Sequence, residues 1–114
     1  MPHRSALGRL AASLLALALV LGPAREAAAQ RALSQVLDLN RQGMDMYNNL
    51  EIEQAVALLN QALAAATRGG VTGAPLARTY VNLGVVSIGG LGDNGAGLEY
   101  FIHALEADSS VSLD

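Results

Sequence analysis

The sequence predicts an all-α fold of antiparallel helix hairpins behind an N-terminal export signal. Three observations carry that prediction. Beyond residue 30 the chain is rich in Ala and Leu, both strong helix formers. No alternating apolar–polar run of the kind a half-buried strand needs occurs there. Glycine- and asparagine-rich breakers divide it into four stretches, and the pattern of one pair of stretches returns about 40 residues later.

The first element is the signal, residues 1–29. Arg4 and Arg9 supply a positive start, residues 10–21 are an apolar run, and Gly22-Pro23 breaks any helix. Ala27-Ala28-Ala29 is the small-x-small pattern a signal peptidase reads, which places the cut before Gln30. The apolar run is well short of the ~20 residues a membrane-spanning helix requires. The expectation is therefore an exported protein of the bacterial periplasm or exterior, with no membrane span once the signal is removed.

Residues 30–114 then form one helical domain. It carries four arginines against nine carboxylates, a net charge of −5. Such a surface repels phosphate backbones and offers no basic face to an anionic membrane, so nucleic acid is not an expected partner. The chain has no cysteine, so neither a disulfide nor an N-terminal lipid-bearing Cys is available.

The first helix is expected over residues 32–47, with Leu33, Val36, Leu37, Met44 and Tyr47 at mostly helical spacing. Asn48-Asn49 signals a turn. The second covers residues 50–66, where Ile52, Ala55, Val56, Leu59, Ala62 and Leu63 form one apolar stripe. Gly69-Gly70 and Gly73 make a loop, and Pro75 opens the third helix, residues 75–88, from its first turn. Leu76, Tyr80, Leu83 and Ser87 lie along one side of it. Residues 89–95 form a glycine-rich turn. The fourth helix covers residues 96–107, Asp108-Ser109-Ser110 ends it, and the last residues are expected to fray.

The second and fourth helices align. Ala55, Leu59, Ala62 and Leu63 correspond to Gly97, Phe101, Ala104 and Leu105, each 42 residues later, while Gly43 corresponds to Gly84, 41 later. Here the sequence resembles the tetratricopeptide repeat family. Tyr80-Val81-Asn82-Leu83-Gly84 matches the first helix of a unit, and Gly92-Asp93 the inter-helix turn. Gly97-Leu98-Glu99-Tyr100-Phe101 with Ala104-Leu105 matches the second helix. Asp108 fits the family's terminal Asp-Pro, with Ser109 replacing Pro. Leu39, Gly43, Ala55, Leu59, Ala62 and Leu63 give an earlier, looser unit. The resemblance implies a short α-solenoid with units over about 36–67 and 77–109. Small residues there let helices approach, and large ones fill the gaps.

The resemblance also implies a partner-binding groove lined by the first helix of each unit. Matched residue by residue, it would carry Leu37, Asn40, Met44, Tyr47, Arg78, Val81, Val85 and Ile88. Asn40 stands at a place used by the subclass that clamps a terminal carboxylate, but the lysines are missing and Val85 replaces an Asn. An apolar groove suits an extended peptide or an amphipathic helix instead, unless a capping helix or a second copy covers it.

No enzyme chemistry is expected. His103 lies near Glu99 and Glu106, but one His with carboxylates on a helix face reads as solvated i, i+3 and i, i+4 pairs, not as a zinc set. The glycines of residues 89–95 follow no strand and have no Lys, so they are not a phosphate loop. No metal and no cofactor is expected. The functional expectation is a non-catalytic protein-interaction module, an envelope scaffold or assembly component. Two alternatives stand beside it: the N-terminal segment of a longer repeat protein, and a small ligand-binding or catalytic helical protein.

Overall fold

The computed structural model describes residues 2–113, with side chains from residue 22 onward, and over them the chain is all-helical. α1 spans Pro2–Asn48, α2 Ile52–Gly69, α3 Ala74–Gly89 and α4 Asn94–Ala107.

α1 differs from the expectation of a break at Gly22-Pro23, because the helix passes through both residues. An internal proline forfeits a hydrogen bond and crowds the preceding turn at a cost of ~3 kcal/mol. The Ala- and Leu-rich flanks, with the highest helix propensities, hold the helix across it. The side chains of the apolar run 10–21 lie outside the described residues. Residues 23–31 are all exposed, Ala27-Ala28-Ala29 among them. Packing begins just after: Ala32 sits against Gly69, and Val36 is fully buried with Ala65 and Ala66 of α2.

α2 runs back along α1. The connection is tight, with the Leu50 and Glu51 N–H groups donating to the Tyr47 and Met46 carbonyls at 3.0 and 2.9 Å. Leu50 takes φ +64° in this turn and is 83% exposed, which is why α2 starts at Ile52 and not at residue 50. The predicted stripe of α2 is the buried one: Ala55, Leu59 and Ala62 are fully enclosed, and Ile52, Val56 and Leu63 flank them half-buried. α2 ends at Gly70 in the left-handed region, whose N–H donates to the Ala66 carbonyl.

α3 enters through Pro75 in its first turn and is the most enclosed helix, packing against both α1 and α2 as well as α4. Leu83 and Val86 of α3 join Ala55 and Leu59 of α2 in one core cluster, with Met44 and Tyr47 of α1 against it. α4 is capped by Asp93, whose carboxylate accepts from the Ala96 N–H at 3.0 Å.

The two successive seams are built alike. A Cβ placed on Gly43 would lie 2.8 Å from the Leu59 side chain and 3.5 Å from the Ala55 carbonyl oxygen. One placed on Gly84 would overlap the Phe101 ring and lie 3.1 Å from the Gly97 carbonyl oxygen. The residues that align 41 and 42 positions apart thus make the same contact in α1–α2 and in α3–α4.

Candidate partner-binding surface

The eight residues expected to line a groove fall into several environments. Asn40 is 7% exposed and hydrogen-bonded on both ends of its amide. Its Nδ2 donates to the Val36 carbonyl at 2.9 Å and to Thr79 Oγ1 at 2.8 Å, while its Oδ1 accepts from Asn82 Nδ2 at 2.9 Å. Thr79 Oγ1 in turn donates to the Pro75 carbonyl. Asn40, Thr79 and Asn82 therefore form a fully satisfied polar link from α1 to α3, worth having in a buried place only because every group has a partner. The sequence pattern missed Thr79 altogether. A threonine inside a helix carries no signal of its own until the facing residue is known.

Val81 is buried with Ala77 and Ala104 on the α3–α4 seam, and Val85 packs half-buried on the same cluster. Ile88 sits half-buried against Gly97. Met44 and Tyr47 pack on the core cluster around Leu83, with the Tyr47 hydroxyl against Gly89. Leu37, in contrast, is 52% exposed, and Arg78 is half-buried.

Leu37 and Arg78 share one open hollow of about 410 Å³ with Ala74, Pro75, Asp108 and Val111. One wall is the α1 face at Leu37, the floor is the first turn of α3, and the other wall is the chain after α4. Local hydrogen bonds and one apolar contact shape that wall. The Asp108 carboxylate accepts from the Ser110 N–H at 3.0 Å and from the Ser110 hydroxyl at 2.6 Å, and Val111 packs on the Ala77, Val81 and Ala104 cluster. These two bonds, the hydroxyl's first, hold the Asp108 carboxyl below the usual carboxylate range. The hollow is apolar at Leu37, Pro75 and Val111, with one cation and one anion at its rim.

His103 is half-exposed, 3.3 Å from a Glu106 carboxylate oxygen, and its ring lies 5.3 Å from that of Tyr80. Among the described residues, no group of three or more His, Cys, Asp and Glu side chains is placed to hold a metal ion. No helix of the described residues is long and apolar enough to cross a membrane. No protein-family model matches the chain, and neither a curated protein nor a solved structure matches it.

Proposed function

We propose that the chain is an exported, non-catalytic interaction module of the tetratricopeptide kind, which holds a partner segment in the hollow between Leu37 and Arg78. The observation that supports the repeat reading most directly is the recurrence of one contact. Gly43 against Leu59 and Ala55 is repeated as Gly84 against Phe101 and Gly97, in helix pairs that align at a near-constant offset. Export is supported by where packing begins. Everything from residue 23 to 31 is exposed, so a cut before Gln30 removes none of the core residues among those described.

The hollow suits an extended peptide with apolar side chains. Leu37, Pro75 and Val111 offer the apolar contact, and the Arg78 guanidinium and Asp108 carboxylate can meet backbone C=O and N–H groups along its length. The test is a display selection of peptides against the full chain, followed by NMR mapping. Selected peptides should shift the amides of Leu37, Arg78 and Val111, and Arg78→Glu should remove binding while leaving helicity intact. Peptides that bind equally well to Arg78→Glu would remove this hollow as the site.

A further inference from the structure

A second surface is left uncovered by the same repeat that builds the fold. On α2, Val56 and Leu63 pack half-buried against the core cluster that Leu83 and Val86 of α3 complete. Forty-two residues later their counterparts on α4 are Leu98 and Leu105, and these are 60% and 42% exposed. Ile102 stands between them at 54% exposure, where α2 has the exposed polar Asn60. Leu98, Ile102 and Leu105 are spaced i, i+4 and i+7, so they form one stripe on one helix face. The stripe on α4 is thus wider and more apolar than its covered counterpart on α2, yet among the described residues no helix lies on it.

Charge indicates what would. The four arginines after residue 30 end with Arg78, and the formally charged residues from there on are carboxylates, Asp93, Glu99, Glu106, Asp108 and Asp114, with the His103 imidazole 3.3 Å from Glu106. On the helix wheel Glu99 and Glu106 flank the stripe on one side, at positions where α2 carries Ala57 and Ala64. A second copy laid on this face would bring the same acids together, and like charges disfavour that. A helix with its own apolar stripe bordered by Lys or Arg meets both the leucines and the carboxylates.

We infer that the outer face of α4, centred on Ile102 with Leu98 and Leu105, docks a basic amphipathic helix from a partner protein, in the way α3 docks on α2. This surface is distinct from the Leu37–Arg78 hollow, and Arg78→Glu tests that hollow alone. The probe is a labelled peptide of the α3 sequence, residues 74–89, with lysines added at both ends, titrated into the full chain by fluorescence anisotropy. A counterpart ending in glutamates is the control. The lysine peptide should bind, the glutamate peptide should bind at least about tenfold more weakly, and added salt should narrow the gap. Ile102→Asp should weaken the lysine peptide roughly tenfold or more. Because Ile102 is exposed, that variant should keep its helicity. Glu99→Gln with Glu106→Gln should abolish the preference between the two peptides. Equal binding of both peptides, binding unchanged in Ile102→Asp, or a stable dimer that Ile102→Asp dissociates would each overturn the inference, the last in favour of a second copy as occupant.

Discussion

Replacing Gly84 by Ala sets two effects of known sign against each other. In a helix interior the substitution gains about 1 kcal/mol of intrinsic propensity. At this position, however, the new methyl would overlap the Phe101 ring and stand 3.1 Å from the Gly97 carbonyl oxygen. A ring can tilt, but a backbone carbonyl moves only with its helix, so α3 and α4 must separate. Overpacking of that kind typically costs 1–3 kcal/mol, and the Phe101 overlap puts this site toward the upper end, near ~3. The net expectation is a loss of roughly 1–2 kcal/mol, or on the order of 5–10 °C in Tm for a folded body of this size. Gly97→Ala meets the reciprocal obstacle, with the Gly84 carbonyl oxygen at 3.2 Å and the Ile88 side chain overlapping. Because either variant parts the same two helices, the double variant should lose less than the sum of the two. Gly95→Ala is the control: its Cβ meets only an Asp93 oxygen at 3.7 Å, so it should leave Tm unchanged or raise it. Urea and thermal unfolding followed by circular dichroism measure all four. A Gly84→Ala protein as stable as the parent would refute the close approach of α3 and α4 as the reason for glycine there.

Leu50 holds a left-handed φ of +64° with its side chain in solvent, a conformation that costs an L-residue about 1–2 kcal/mol. Leu50→Asn should therefore raise stability by roughly 0.5–1 kcal/mol in urea melts, since Asn tolerates that region. The Asp38 carboxyl is held below its usual range by the Arg41 side chain and then by Gln42, as Asp108 is by Ser110. Both groups bind a proton more readily when unfolded, so their stabilisation is complete above pH ~5 and fades as pH falls through the lowered folded values. Asp38→Asn with Asp108→Asn should flatten the acid side of a plot of Tm against pH between about 5 and 2. Expression with export in a bacterial host should yield a species whose mass begins at Gln30; a mass retaining residues 1–29 would contradict the cleavage proposal.

The sequence makes the helices legible where each position has one job. The α2 stripe is read correctly because Ala55, Leu59 and Ala62 recur at helical spacing and are all enclosed. Pro75 and the glycines around it mark the α3 boundary for local steric reasons that need no tertiary knowledge. Boundaries fail where the chain does something its residue types disfavour. Leu50 occupies a left-handed turn, and Pro23 lies inside a helix, so propensity points the wrong way at both. The surface is harder still. A position expected to face a partner can instead be taken by the next helix, and that depends on how far α3 leans toward α1. Val81 and Asn40 look like groove residues one helix at a time, yet α4 covers the first and Thr79 and Asn82 engage the second.

That engagement bears on the hollow. The seams within each helix pair are apolar and close, set by Gly43 and by Gly84 with Gly97. The seam between the pairs adds a polar link: beside the apolar cluster of Ala55, Leu59, Leu83 and Val86, α1 meets α3 through the Asn40, Thr79 and Asn82 side chains. Leu37 lies one turn before Asn40, and Arg78 immediately precedes Thr79, so the two residues that face each other across the hollow are spaced by this link. Removing the amide leaves the Thr79 and Asn82 groups without their partner in a buried place, at a cost of about 1–3 kcal/mol. Asn40→Ala should therefore lower stability by that order. It should also weaken peptides selected for the hollow, although Asn40 does not line it. Asn40→Asp separates the two effects: it can still accept from Asn82 Nδ2, but it cannot donate to the Val36 carbonyl, and Thr79 Oγ1 can donate to it only by giving up its bond to the Pro75 carbonyl. If the link positions the hollow, binding should follow the α1–α3 spacing and recover in part with Asp; if Asn40→Ala destabilises the fold while peptide affinity stays at the parent value, the hollow is set by the apolar seams alone.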